Sequence, residues 1–194
     1  NLNAQWVWQN PSPAGSSFSS IFFLDRATGW VVGSEGLVAK TTDAGESWVD
    51  QNAGSGISWK DCFFFDEQNG WLVSDYGVIS ATHNGGDIWQ TVFYQSDSRF
   101  EKIFFVDREY GWVAGWRSLV KTTNAGATWI NLGVPNLLFV HDIYFHSRDS
   151  GWLAGSTSGS GHPSLFKTAD GGITWIAQQN VLPLSYESLF FANQ

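Results

Sequence analysis

The chain has 194 residues, 43% of them hydrophobic, and its 12 Trp and 15 Phe supply enough apolar volume for a packed core. The formal net charge is -8, and the ten Lys and Arg are scattered singly, which argues against a nucleic-acid partner. No apolar run approaches the ~18 residues of a spanning helix, and the single cysteine, Cys62, can form neither an internal disulfide nor a zinc site, so it reads as a packed thiol.

In chain order, Asn1-Leu2-Asn3-Ala4-Gln5 lacks an initiating Met, which reads as a processed or trimmed chain, compatible with the remnant of a secretory cleavage region. Gln5-Trp6-Val7-Trp8-Gln9-Asn10 resembles the stretch Ser47-Trp48-Val49-Asp50-Gln51-Asn52, but nothing like the segments preceding that stretch comes before it. A complete unit then begins. The aromatic run Ile21-Phe22-Phe23 leads into a polar turn, Asp25 to Gly29, followed by Trp30-Val31-Val32-Gly33, a second turn, the run Leu37 to Lys40, and a last run starting at Trp48. The runs are short and β-prone, separated by Gly, Asp, Asn and Ser, and no stretch of ten or more residues shows a helical period.

This unit returns. Gly-Trp recurs at Trp30, Trp71, Trp112 and Trp152, with spacings of 41, 41 and 40, and a second Trp recurs at Trp48, Trp89, Trp129 and Trp175, with spacings of 41, 40 and 46. Four strands per period of this length predict an all-β fold, a β-propeller with four-stranded blades. The repeats span about residues 18–51, 59–93, 100–132 and 140–178. Residues 1–17 are expected to give an outer closing strand and loop, and 185–194 the first strand of a further blade. The expectation is therefore a single propeller domain, about four blades of a larger ring of about seven. A closed five-blade ring and self-association through open blade edges are the alternatives, since unpaired edges invite pairing.

The turn before each second Trp carries a further pattern. Thr41-Thr42-Asp43-Ala44-Gly45-Glu46-Ser47-Trp48 and Thr168 to Trp175 fit [Ser/Thr]-x-Asp-x-Gly-x-[Ser/Thr]-Trp in full, while Thr82 to Trp89 and Thr123 to Trp129 carry Asn84 and Asn124 in place of Asp43 and Asp170. The Asp or Asn side chain is expected to fold back onto backbone N–H groups of the hairpin, and the Gly to take a conformation closed to residues with a Cβ. Each Trp then caps the apolar layer between blades. Ile88 stands where the other copies have Ser or Thr, so the second copy is expected to be weaker.

This pattern resembles the Asp-box of bacterial neuraminidase repeats. The wider unit, Phe22-Phe23-Leu24-Asp25, Gly29-Trp30-Val31-Val32-Gly33, Gly36-Leu37-Val38 and Thr42-Asp43-Ala44-Gly45, is similar to the photosystem II assembly and stability factor-like propeller repeats, over about residues 18–178. The resemblance implies an extracytoplasmic, non-enzymatic propeller that binds a protein partner, such as a component of a membrane complex or of the cell surface. Related repeats occur in many secreted bacterial proteins, so the repeat identifies a scaffold before it identifies a task. The alternative it leaves open is a neuraminidase-like glycoside hydrolase or glycan-binding module.

Neuraminidase chemistry needs three arginines converging on a carboxylate, a Tyr–Glu nucleophile pair and an Asp acid/base. Arg26, Arg108 and Arg148 instead occupy equivalent turns of successive repeats, where the second repeat has Glu67. A structural role in those turns, or a basic rim that grips an acidic partner, accounts for that placement. His83, His141, His146 and His162 show no metal-ligand spacing, and Gly155 to Gly161 lacks the Lys of a phosphate loop, so neither metal nor cofactor is expected. Loops between second and third strands share a face with the inter-blade connections, which would bring Glu35, Asp75, Tyr76, Trp116, Arg117 and His162 to one side as partner-binding candidates. Trp116 breaks the pattern, because Ser34 and Asp75 are its equivalents. It is expected either to anchor an interface beside Arg117 or to fold onto its own blade.

Overall fold

In the computed structural model, the described residues are 17–133, 137–157, 163–178 and 188–191. They form four antiparallel sheets of four strands each. In chain order the first blade is β1 (Phe18–Phe23), β2 (Gly29–Gly33), β3 (Val38–Thr41) and β4 (Val49–Asp50), and the second is β5 (Trp59–Phe64), β6 (Gly70–Ser74), β7 (Val78–Thr82) and β8 (Gln90–Tyr94). The third is β9 (Arg99–Phe105), β10 (Gly111–Trp116), β11 (Ser118–Thr122) and β12 (Ile130–Asn131), and the fourth is β13 (Leu137–Phe145), β14 (Gly151–Thr157), β15 (Pro163–Thr168) and β16 (Ile176–Ala177). Within each sheet the strands lie in chain order, the meander of a propeller blade. The N-terminal segment 1–16, the loop around Gly161 and most of 185–194 lie outside the described residues.

The second strands read as near-continuous apolar runs, and β2 and β6 are buried along their whole length; β6 has blade 1 against one face and blade 3 against the other. The Gly-Trp marker follows from the packing on those faces. Gly29, Gly70, Gly111 and Gly151 pair across the sheet with Phe23, Phe64, Phe105 and Phe145, whose rings lie where a Cβ would stand. The adjoining Trp then reaches the next blade. The Trp30 ring stacks on Phe64 at 3.6 Å between centroids and Trp112 on Phe145 at 3.5 Å, while Trp71 meets Phe105 at 4.5 Å. The Trp of each box closes the set edge-on, with Trp89 against Phe64, Trp129 against Phe105 and Trp175 against Phe145. Each inter-blade layer is thus a Trp–Phe–Trp set spanning two repeats, and every such aromatic contact is worth roughly 0.5–1.5 kcal/mol beyond its burial. Trp152 continues the series onto Phe191 at 4.7 Å. On the other flank of blade 1, Val31, Leu37 and Ala39 form a small buried cluster with Trp48 packed against it, and Phe23 is edge-on to Trp48.

Candidate functional site

One end of the strands carries the boxed turns. In the first, Thr41 Oγ1 donates to Asp43 Oδ1 at 2.7 Å and accepts from Gly45 N–H at 2.8 Å, while Asp43 accepts from both N–H and Oγ of Ser47. Those bonds, led by the Ser47 hydroxyl, lower the Asp43 carboxyl to about 2, and the Thr174 hydroxyl and N–H do the same for Asp170. The glycine has φ of 87° at Gly45, 103° at Gly86, 77° at Gly126 and 92° at Gly172, a region favoured by glycine. Trp48, Trp129 and Trp175 donate their indole N–H to the carbonyls of Gly45, Gly126 and Gly172. In the second copy Ile88 supplies no hydroxyl, Asn84 keeps its bond to the Ile88 N–H, and the Trp89 Nε1 is left without a partner. The threonine of the third copy is Thr122, one residue before the start read from the sequence: it is Thr122 Oγ1 that bonds Asn124 and Gly126.

At the same end, the arginines of the first turns join neighbouring blades. Arg108 reaches Asp66 at 2.9 Å, and Arg148 reaches Asp107 at 2.6 Å and Glu109 at 3.0 Å while its guanidinium lies 4.0 Å from the centre of the Tyr110 ring. Arg26 occupies the equivalent turn of blade 1 and is exposed.

The opposite end carries the β2–β3, β6–β7 and β10–β11 loops and the inter-blade connections. There a groove of about 400 Å³ opens between blades 2 and 3, lined by Asp75, Tyr76, Tyr94, Asp97, Ser98, Arg99 and Trp116. Trp116 is the last residue of β10, paired with Arg99, and its ring is flanked by the guanidiniums of Arg99 at 5.9 Å and Arg117 at 5.5 Å. Tyr76 and Tyr94 are each about three-fifths exposed, at 60% and 62%. Asp75 approaches Lys60 at 3.7 Å through Oδ2, while its Oδ1 is buried with no donor among the described residues. Of the sequence candidates, Asp75, Tyr76 and Trp116 therefore meet in one groove, with Arg117 beside it. Glu35 lines a separate cleft of about 200 Å³ with Leu37, Asp50, Gln51 and Asn52, and His162 lies outside the described residues. Tyr94, Asp97 and Arg99 were not singled out from the sequence, because they run from the end of β8 through the connection to the start of β9, which the repeat markers do not reach.

A second polar feature also escaped the sequence. Each innermost strand bulges at an equivalent position, placing Lys60-Asp61, Glu101-Lys102 and His141-Asp142 in register on successive blades. Asp61, buried, accepts from Ser20 Oγ of blade 1 at 2.6 Å and from the Ile103 N–H of blade 3 at 3.2 Å, with Lys102 at 4.0 Å. Asp142 repeats the device on Ser188 Oγ and the Leu189 N–H. Burial raises the Asp61 carboxyl, partly offset by the Lys102 ammonium. Asp61 thus ties three consecutive inner strands together and Asp142 holds the segment at Ser188 and Leu189, positioning tasks that leave the groove as the arrangement open to a partner.

Four Trp-stacked, Asp-box blades with a loop-face groove define a β-propeller of the repeat-scaffold kind. The family model described as photosynthesis system II assembly factor YCF48 matches residues 55–139, somewhat under half of the chain, so blades 2 and 3 carry repeats similar to those of that family. Among solved structures, YCF48 bound to a D1 peptide superposes with a TM-score of 0.69 at 18% identity, covering 89% of this chain and 56% of that one, so this chain spans little more than half its length. YCF48 from Cyanidioschyzon merolae gives 0.53 at 14% identity, covering 87% of each chain. An ancestral GH74 enzyme gives 0.70 at 15% identity, covering 85% of this chain and 26% of the enzyme. At these identities the likeness to solved structures concerns the fold. No curated protein sequence matches significantly.

Proposed function

We propose that this chain is a non-catalytic propeller that holds a protein partner against its loop face, in the groove between blades 2 and 3. The observation that carries the reading is the groove itself, where exposed aromatic rings and the Trp116 indole between two guanidiniums converge, the composition of an interface anchor. YCF48 in complex with a D1 peptide is a precedent for partner binding by a propeller of this repeat family. By that precedent the partner is a segment of a membrane complex, or on another host a cell-surface component. The reading extends to an extracytoplasmic location, supported by the resemblance to lumenal assembly factors and tested by fractionation of cells expressing the tagged protein.

The geometry speaks against a neuraminidase-like clamp built from these arginines. Arg99 and Arg117 sit at the loop face, whereas Arg108 and Arg148 bind acidic turns at the other end of the strands. A photoreactive residue at Tyr76 should cross-link a discrete partner that the same residue at Glu46, among the boxed turns, does not, and Trp116→Ala should abolish the adduct while leaving the unfolding midpoint unchanged. Identical adducts from both positions, or turnover of a fluorogenic sialoside panel lost on a single Tyr or Glu change, would contradict the proposal.

A further inference from the structure

Resting on that reading of the groove, we infer that the partner segment presents a cationic side chain, a lysine or arginine, to the pocket formed by Tyr76, Tyr94, Asp75 and Asp97. Three observations converge on this chemistry. First, the two groups of charge in the groove differ in how they are already used. Both guanidiniums, of Arg99 and Arg117, lie over the indole of Trp116, whereas no cation lies over the Tyr76 or Tyr94 ring among the described residues. Those rings are the most exposed aromatic surface of the groove, and an aromatic face free of a cation is the electrostatic complement of an ammonium or guanidinium.

Second, the acidic groups that line the same groove are under-satisfied. Asp97 has no ion pair or side-chain hydrogen bond among the described residues, and Asp75 meets its one cation, Lys60, at 3.7 Å while its Oδ1 is left without a donor. By contrast, Asp66 pairs closely with Arg108 and Asp107 with Arg148. Third, Asp97 lines the groove from the connection between β8 and β9, at a backbone φ of 60° in the left-handed region that Asp tolerates better than most residues. Aromatic faces and carboxylates converging on one opening of about 400 Å³ hold a cation and leave room for the backbone that carries it.

Three short peptides of equal length distinguish this from other occupants: one bearing a single lysine, one with norleucine in its place and one with glutamate. Binding is read by NMR on the full chain, from the Trp116 indole N–H resonance, assigned with Trp116→Phe. The lysine peptide should bind about tenfold more tightly than the norleucine peptide, with a preference that shrinks as salt is added. Asp97→Asn, which keeps the backbone conformation, and Tyr94→Leu should each reduce the preference severalfold with the amide spectrum otherwise intact. Equal binding of the lysine and norleucine peptides, or tighter binding of the glutamate peptide, overturns the cation site and leaves the groove as a protein-binding surface. No shift at Trp116 with any of the three overturns both.

Discussion

Trp71 and Trp112 occupy the same place in successive blades, yet their indole N–H groups fare differently, and that difference sets a measurable cost. Both rings are buried, and each packs on the first-strand Phe of the next blade. The Trp112 N–H donates to the Gly171 carbonyl at 2.9 Å, whereas the Trp71 N–H is buried without an acceptor among the described residues. Replacing each by Phe removes a similar volume, so the cavity penalty largely cancels in the comparison. What remains is a hydrogen bond lost at Trp112, about 1 kcal/mol, against an unpaired donor relieved at Trp71, about 1–3 kcal/mol. Trp112→Phe should therefore be the more destabilising change by about 2–4 kcal/mol, which in a chain of this size is a gap of about 4–16 °C in midpoint. Urea unfolding followed by far-ultraviolet circular dichroism measures it, provided both variants keep the parent's denaturant slope. Equal costs, or a greater loss at Trp71, would refute the assignment of the two indole groups and the inter-blade layer built on them.

The acid limb of stability should draw on the boxes that carry Asp, together with the turn aspartate Asp66, which is also lowered to about 2. A carboxyl held at about 2 when folded and about 3.9 when unfolded contributes stability above pH ~4 that is lost as pH falls through 2. Asp43→Asn should flatten the stability profile over that window, and an unchanged profile in a pH-resolved melting series would show that the Ser47 bonds do not set it. Gly126→Ala should be strongly destabilising, since its φ is 77° and the new Cβ would fall against Nε1 of Trp71. Ala125→Gly beside it, at φ 57°, should be close to neutral, because relief of the left-handed backbone offsets the entropy of glycine. Differential scanning calorimetry on the pair would expose an error in either conformation if the two changes cost the same.

The propeller was legible because its markers obey local physics that repeats. Gly must precede Trp where a Phe ring lies across the sheet, and Asp or Asn must sit two residues after a Thr to satisfy the hairpin, so both leave a period in the sequence. The offset of the third box had a local cause as well: Thr122-Thr123 offers two hydroxyls, and the two-residue spacing to Asn124 that the other copies share selects Thr122. The groove was half legible. Asp75, Tyr76 and Trp116 lie at or beside the turns between second and third strands, whose position follows from the blade, but Tyr94, Asp97 and Arg99 span the end of β8 to the start of β9, outside the repeated markers. Asp61 and Asp142 were hidden for another reason. A polar residue in an alternating strand reads as solvent-facing, and nothing local reveals that the next blade's N–H completes its hydrogen bonds.

The most direct test of partner capture at the loop face is amide hydrogen exchange on the chain with and without the partner recovered by cross-linking. The account predicts added protection at residues 75–76, 94–99 and 116–117, and little change in the turns around Asp43, Asn84, Asn124 and Asp170. Protection confined to those boxed turns, with the groove unaltered, would contradict it.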